Sequence, residues 1–331
     1  MAQTFKPDNV LLSDTLGREV SAQPFTNAFL NQLVSTSKLI QLGERVDMGN
    51  QRIVRRNGGV GELSDAYFVD EGEKISTAKV EGSDYILETK KIGVILPVSE
   101  EFLNYTWSQY FSQIVPVIAD KFNKKIDGAA FLGLHNNPFG NSVLAQAQAS
   151  GNIVAGDLTA ENIFDLGATT PNEPTAFVGH RTLNRDLRTI TDADNVNGRF
   201  IFERPTSQNG IGVLDSLPYH ALQLSDGEDY PDGTLLTGNF NGLKYGVPNS
   251  ASLRLKIADQ ATLSTVQNAD NESLGDVHLF EQDLQALRAV FEIAVAIPEG
   301  AKDFAVLQPQ ASLGRDDDED NNPLTQGEAG E

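Results

Sequence analysis

The chain of 331 residues contains no cysteine. This absence excludes disulfide bonds, thiolate nucleophiles and every metal site built on cysteine. It is compatible with folding in a cytosol, and equally with a particle that must later persist in oxidising surroundings. Any chemistry must therefore come from other residue types.

Long apolar runs are also missing. No segment approaches the roughly 18 to 20 apolar residues that a membrane helix needs. The N-terminus, MAQTFKPDNVLLSD, has no basic patch followed by an apolar stretch, so we expect no secretory signal. Hydrophobic residues make up 40% and charged residues 21% of the chain, which is typical of a soluble globular protein. We expect no membrane partner and folding in the cytoplasm.

Positive charge is scarce. The chain has 25 Lys and Arg against 46 Asp and Glu, a formal net charge of −21. Proteins that grip nucleic acid present a basic face that neutralises phosphates. The longest basic cluster here is Arg52, Arg55 and Arg56, which a solvated strand face explains. We expect no tight, specific DNA binding. A protein whose acidic surface lies near nucleic acid and repels it remains an alternative.

Catalytic motifs are absent as well. The histidines are widely spaced and form no metal-binding pattern: His135, His180, His220 and His278. No nucleophile elbow, Walker loop or dinucleotide fingerprint is present. The stretch DADNVNG, from Asp192, resembles a calcium loop, but its glycine falls one position late and Val196 replaces a ligand. The sequence predicts no catalytic residue, no cofactor and no metal site.

What the chain does contain begins with a polar arm and a ribbon. Residues 1–24 predict an extended arm, and helical spacing follows from about Thr26 to Ser37. The segment 44–98 then predicts strand-like residues at Arg52–Arg56, a turn at 57–59 and a long strand from Tyr85 to Val98.

The long strand should place Ile86, Ile92, Val94 and Leu96 on one side. Between 57 and 84 the segment has too few apolar residues for a core of its own. An isolated two-stranded ribbon is at best marginally stable in water. A neighbouring subunit is the natural cover.

The clearest helix follows the ribbon. Ser99 is its expected N-cap, with a break near Thr106 and a long helix from about Trp107 to Leu132. Pro116 should kink it. Its apolar face has helical spacing: Phe111, Ile114, Val115, Ile118, Phe122, Ile126, Ala129 and Ala130. Polar residues on the opposite face suggest that this side is not fully buried: Asn123, Lys124 and Asp127.

The rest of the chain predicts a second compact unit and a return to the first. In residues 157–247, short strands alternate with short helices, one capped by Thr159 with Leu158 and Ile163 as a hydrophobic staple. Strands are expected at 252–257 and from Leu284 to Ile297, with Glu292 on the polar face. The tail from 311, with DDDED at 316–320, is too acidic to fold alone. The fold class is α+β.

This order of elements resembles the major capsid proteins of tailed bacteriophages, those of the Hong Kong 97-type fold. Five segments, in order, are similar to segments of these proteins: the first two to the family's extended-loop motif and its strand into the spine region, and the last three to capsid proteins of phages that infect Gram-positive bacteria. They are AYFVDEGEKI (66–75), KKIGVILPVSEEFLNYT (90–106), NNPFG (136–140), LLTGNF (235–240) and LFEQDLQALRA (279–289). The resemblance covers about residues 25–309.

The resemblance implies a division of the chain into named parts. These are an N-terminal arm and short helix (1–43), an extended (E) loop (44–90), a peripheral (P) domain with the spine helix (91–156), an axial (A) domain (157–247), P-domain return strands (248–310) and a disordered acidic tail (311–331).

The resemblance also implies function and partners: a subunit of the icosahedral shell of a virion, assembled in the bacterial host cytoplasm. Its partners would be copies of itself in hexamers and pentamers, a separate scaffolding protein, a portal protein and packaged double-stranded DNA without tight specific binding. The interface residues carried over lie on the distal loop: Tyr67, Phe68, Glu71, Glu73, Lys74 and Ile75. No motif identifies a crosslinking partner for Lys74 or Lys79, so we expect no covalent crosslink.

Two alternatives stay open at this point. An encapsulin-like compartment shell resembles the same fold but would bind a cargo peptide. A monomeric α+β hydrolase or binding protein would need a convergent polar pocket and no cover for the ribbon.

Overall fold

The computed structural model describes residues 36–63, 68–71, 73–74, 77, 80–191, 200–203, 211–225, 228, 230–248, 254–258, 260–264, 276–298 and 300–309. The arm, nearly all of the helix expected up to Ser37, the calcium-like stretch and the acidic tail lie outside these residues. None of the helices described is both long and apolar enough to cross a bilayer.

The described residues form both helices and strands. The helices are α1 (Lys38–Leu42), α2 (Glu100–Leu132), α3 (Val143–Ala149), α4 (Ala160–Thr169) and α5 (Leu183–Leu187). The strands are β1 (Glu44–Arg45), β2 (Ile53–Leu63), β3 (Val80–Glu88), β4 (Lys90–Ser99), β5 (Ile153–Ala155), β6 (Ala176–His180), β7 (Phe202–Glu203), β8 (Gly212–Leu214), β9 (Leu217–Leu222), β10 (Leu235–Gly238), β11 (Lys244–Gly246), β12 (Arg254–Ala258), β13 (Thr262–Leu263), β14 (Val277–His278), β15 (Leu284–Ala296) and β16 (Phe304–Gln308). The α+β prediction is confirmed.

The first sheet is built around β15, which pairs with β4, β11 and β12, while β1 extends the sheet beyond β11. The β4–β15 ladder runs antiparallel from Ser99 opposite Leu284 to Lys90 opposite Ile293. Burial alternates along β4, so its even-numbered side chains face the core. Helix α2 covers this face, since Phe122 and Ile126 share one apolar core with Phe291.

The second sheet has seven strands in the order β5-β16-β10-β6-β9-β8-β7. Helix α4 packs on it and begins as predicted, because the Thr159 hydroxyl accepts a hydrogen bond from the backbone N–H of Asn162 at 3.3 Å. Ile163 is buried in the core of this sheet, and Leu158 packs against the same core, as the predicted staple requires.

Helix α2 differs from its prediction. It is one continuous helix of 33 residues, about 50 Å long, with no break near Thr106. A β-branched residue costs a helix only a few tenths of a kcal/mol, so the Thr106 position does not end it. Ser99 lies at the N-cap position, but its side chain makes no capping hydrogen bond. The helix also continues through Pro116.

The long strand expected from Tyr85 to Val98 is two strands. Tyr85 and Leu87 are buried and Ile86 is exposed, whereas beyond Thr89 the even-numbered residues face the core. Placing Ile86 on the same side as the later isoleucines and valines was therefore wrong. The face changes because β3 pairs with β2 while β4 pairs with β15.

The turn expected at residues 57–59 is part of a strand. Strand β2 runs through it, and its pairing with β3 shifts register between Asn57 and Val60 and again between Val60 and Leu63. Such shifts are β-bulges, which glycine accommodates readily.

Two strands join a sheet other than the one that the chain order suggested. Strand β16, placed with the return strands, hydrogen-bonds between β5 and β10 in the second sheet. Strand β11, placed in the compact unit 157–247, pairs with β15 in the first. Glu292 is buried, not on a polar face, and its carboxylate lies 3.7 Å from the Lys91 ammonium.

The polar side of α2 holds the preceding chain in place. Asp127 accepts hydrogen bonds from the Ser37 hydroxyl and the Lys38 amide, both at 2.8 Å, and from the Leu39 amide at 3.1 Å. Asp127 is thus buried and not solvated, and it satisfies the free N–H groups at the start of α1. Burial raises the pKa of its carboxyl to about 6.

We predict that Asp127 makes stability depend on pH. Its pKa lies above the ordinary 3.8, so the folded chain favours the protonated form. This contribution is full below pH 3.8 and is lost as the pH rises through 6, about 3 kcal/mol in total. The measurement is urea unfolding of the unassembled subunit at several pH values. As pH falls from 7 to 4, the free energy of unfolding of wild type should rise relative to that of Asp127→Asn. Parallel curves for the two proteins would contradict the assignment.

A second prediction concerns Gly238, the last residue of β10. Its φ is +149°, and a Cβ there would lie 2.1 Å from the carbonyl oxygen of Asp303. We expect Gly238→Ala to lower the free energy of unfolding by about 1–3 kcal/mol. Gly167 in α4 is the matched control, because a Cβ there meets nothing within 4 Å and alanine favours the helix. Equal effects of the two substitutions in denaturant unfolding would rule out the close approach.

Candidate assembly interface

The candidate interface begins with the ribbon formed by β2 and β3. The two strands pair antiparallel from Ile53 opposite Glu88 to Leu63 opposite Val80. Only the base of this ribbon contacts a described core. That small cluster contains Met48, Val54, Tyr85, Leu87 and Ala294 of β15.

The outward face of the ribbon base mixes charge with large apolar side chains. Ile53 and Ile86 are both more than half exposed, at 61% and 53%. They lie at diagonal positions of the β2–β3 ladder, where long side chains touch. Sequence reasoning missed Ile86 because it assigned that residue to the buried side. Exposed apolar side chains grouped on one surface are typical of protein contacts.

The basic cluster lies on this ribbon, as predicted for a solvated strand face. Arg52, Arg55 and Arg56 are exposed. The Arg55 guanidinium is 4.0 Å from the Asp84 carboxylate, and Arg56 donates to the carbonyl of Asp47 at 3.2 Å. Exposed pairs of this kind contribute at most about 1 kcal/mol each.

The predicted interface residues lie beyond the last described ribbon pair. Phe68 is fully exposed, and Glu71, Glu73 and Lys74 are exposed beside it. A turn joins them, in which the amide of Glu73 donates to the carbonyl of Asp70 at 3.1 Å. The other two predicted residues, Tyr67 and Ile75, lie outside the described residues. The four described side chains lie on one short segment that the described part of the chain leaves uncovered.

Further exposed apolar residues were not predicted. Large apolar side chains at least a third exposed also occur away from the ribbon: Ile95, Val117, Phe164, Phe200, Ile211, Ile257 and Phe280. Ile257 illustrates why sequence reasoning missed them. It lies opposite Leu287 on the core side of the first sheet, but at the outer strand, where the cover ends.

The four histidines do not gather at one place in the fold. His135 lies beside Glu228 at 3.3 Å, His180 and His220 lie on the paired strands β6 and β9, and His278 lies in β14 of another sheet. Burial lowers the pKa of His220 to about 4, so it is neutral in the folded chain at neutral pH. Within the described residues, no three acidic or histidine side chains are grouped for a metal.

Comparison with known proteins identifies the family. Residues 17–303 match the model described as the Phage capsid family. The chain is 37% identical to the protein named "Major capsid protein" of Staphylococcus phage 80alpha over 311 residues, 93% of this chain and 90% of that relative.

Solved structures agree with the fold. The chain superposes on one from Microbacterium phage Oxtober96 with a TM-score of 0.63 at 20% identity, covering 82% of this chain and 91% of that one. For Mycobacterium phage Adephagia the TM-score is 0.62 at 19% identity, with 82% and 90% covered. These identities establish the architecture alone, and it is the Hong Kong 97-type fold that the motifs implied. With the family model spanning most of its length, this chain belongs to the phage capsid family and is a structural subunit of a phage head shell.

Proposed function

We propose that this chain is the major subunit of the icosahedral head of a tailed bacteriophage, and that it assembles as pentamers and hexamers around double-stranded DNA. The observation that carries the proposal is the β2–β3 ribbon, where the described residues leave Ile53, Ile86 and Phe68 uncovered. A two-stranded ribbon gains little stability alone. Cover from a neighbouring copy would bury Phe68, Ile53 and Ile86.

In this proposal the parts of the chain take the roles that the resemblance implied. The ribbon within 44–90 is the E loop, and helix α2 with the first sheet forms the P domain, which includes β11 from the segment 157–247. The second sheet forms the A domain, which includes β5 and β16 from the segments 91–156 and 248–310 and meets its copies around fivefold and sixfold axes. Helix α2 and strand β15, which share one core, give each subunit a stiff beam about 50 Å long.

The net charge suits a shell that encloses DNA without binding it tightly. A net charge of −21 per chain opposes non-specific attachment to phosphates. DNA would then be held by confinement and not by a basic lining. A separate scaffolding protein and a portal complete the proposal, with assembly in the bacterial host cytoplasm. The encapsulin-like alternative shares the fold, but the 37% identity to a phage capsid protein favours the phage head.

Assembly is the direct test. Negative-stain electron microscopy of the chain co-expressed with its scaffolding protein should show uniform closed particles. Expression of the chain alone is the control that shows what the scaffold contributes. A strictly monomeric protein in both preparations, across concentration and salt, would contradict the proposal.

The loop tip gives the second test. Tyr67→Ser with Phe68→Ser should leave the free energy of unfolding of the subunit unchanged, because Phe68 is fully exposed in the described part of the chain. Each lost apolar contact weakens association by about 2 kcal/mol, or roughly 30-fold per contact. Particle yield by sedimentation should fall accordingly. Phe68→Leu, which keeps apolar area, should assemble normally. A double variant that unfolds as a monomer would place the tip on its own domain instead.

A further inference from the structure

A basic groove crosses the chain away from the ribbon. It lies between helix α2, helix α5 and the carboxyl ends of β6 and β9. Two adjoining cavities of about 490 and 730 Å³ form it. Both are lined by Lys124, Arg181, Asn184, Arg188 and Gln223, so the groove is continuous.

The larger cavity concentrates positive charge in an acidic protein. Its lining holds Lys124, Arg181, Arg185 and Arg188 against one carboxylate, Asp186. The smaller cavity adds Lys38, Asp120 and Asp127, so cations still exceed carboxylates in the groove as a whole. The whole chain has the opposite balance, with 46 acidic and 25 basic residues. Arg185 lies in α5, Arg188 is its C-cap residue, and Arg181 precedes its N-cap residue Thr182, so the three arginines come from one short stretch of chain.

These arginines have no partner among the described residues. Arg181, Arg185 and Arg188 are exposed, and their guanidinium groups make no hydrogen bond or ion pair in the part of the chain that the structure describes. The Lys124 ammonium, by contrast, is paired with Asp120 at 2.8 Å. The buried side-chain oxygen of Asn184, in the groove wall, likewise lacks a described hydrogen-bond donor. The groove therefore offers cations and a buried acceptor together.

The C-terminal segment of the same chain has the complementary charge. Residues 310–331 contain seven acidic residues and one arginine, with five of the acidic residues in the run Asp316–Asp320. They follow directly on Pro309, the last described residue.

The fold brings the start of this segment to the groove. Strands β16 and β6 both pair antiparallel with β10, where Leu235 lies between Leu307 and Gly179. The chain therefore leaves β16 and β6 at the same edge of the sheet, two strands apart, or about 10 Å.

The residues at that edge connect the end of β16 with the groove. Pro309 packs at Gly233, where an added Cβ would lie 2.6 Å from its ring. Nearby, Tyr230 stacks on His180 with ring centres 5.1 Å apart, and His180 precedes Arg181 at the groove. Six residues separate Pro309 from Asp316, and an extended chain of that length spans about 23 Å. The acidic run can therefore reach the groove.

We propose that the acidic segment 310–331 folds back onto its own chain and places Asp316–Asp320 against Arg181, Arg185 and Arg188 in this groove. The segment is tethered beside its site, so its effective concentration is high and even weak ion pairs hold it. A phosphate backbone would meet the same cations, but the segment belongs to the same chain and starts about 10 Å from the end of β6. Once occupied, the groove no longer offers its cations to DNA.

The absence of cysteine allows a direct test in the full-length, unassembled chain. Gln223→Cys places a thiol in the groove, and Asn321→Cys places one beside the acidic run; together they form the groove pair. Glu173→Cys, which precedes β6 at the opposite end of the sheet, combines with Asn321→Cys as the control pair for a segment that moves freely. At low salt we expect the disulfide of the groove pair to form about tenfold faster than that of the control pair. The preference should vanish at 1 M salt, as for ion pairs in general.

Charge variants separate docking from chance proximity. Neutralising the run, with Asp316→Asn, Asp317→Asn, Asp318→Asn, Glu319→Gln and Asp320→Asn, should abolish the preference without altering the folded body. Glu328→Gln with Glu331→Gln, outside the run, should retain it. Arg181→Gln, Arg185→Gln and Arg188→Gln together should act like the neutralised run.

Three results would overturn the proposal. Equal disulfide rates in the groove pair and the control pair would show that the segment does not dock. Covalent dimers as the main product would show that it docks on another copy. If the arginine variant weakened binding of a DNA oligonucleotide but left the disulfide preference intact, the groove would serve nucleic acid. None of these results depends on shell assembly, so they leave the proposed function untouched.

Discussion

Strand β15 is the element on which the described fold depends. Its backbone pairs with β4, β11 and β12, and one of its faces holds helix α2. Near its far end, Ala294 contacts the base of the ribbon. The 13 residues of this strand therefore set the position of the long helix, the first sheet and the ribbon at once. A capsid subunit contacts its neighbours at distant edges. A continuous strand that is hydrogen-bonded on both sides connects such edges rigidly.

The ribbon shows how folding and assembly are divided in this chain. Its base is fixed by a small apolar cluster with Leu87 fully buried, while its outward face and tip remain exposed. In the proposed assembly, contacts with a neighbouring copy supply the free energy that orders the distal part. The ribbon would then gain stability only when copies meet.

Sequence alone predicted the features that depend on local periodicity. The 3.6-residue spacing indicated helix α2, the alternation indicated β4, and Thr159 marked the start of α4. Which strands pair with each other depends on residues far apart in the sequence, and this pairing was missed. The change of face at Thr89 follows from β3 and β4 pairing with different strands, and nothing in the local pattern reports it.

The candidate sites, too, could be predicted only where a local motif marked them. Phe68, which is exposed, was assigned to the interface from a motif that the resemblance supplied, and that assignment stays a prediction. Asp127 was misplaced because a carboxylate at a polar helix position normally faces water, and only the returning backbone at Lys38 and Leu39 makes burial favourable. The basic groove could not be found from spacing, since its cations come from α2 and from the segment around α5, which only the fold brings together.

The net charge constrains how copies of this chain associate. Each copy carries −21, so assembly works against repulsion that physiological salt screens beyond about 8 Å. At shorter distances, contacts between copies must overcome this repulsion by burying apolar area or by pairing opposite charges. The ribbon suits both, because Ile53 and Ile86 lie among the exposed arginines of β2. An acidic segment held over the groove would place its five carboxylates beside three arginines of the same copy, so that part of its negative charge is offset before copies meet.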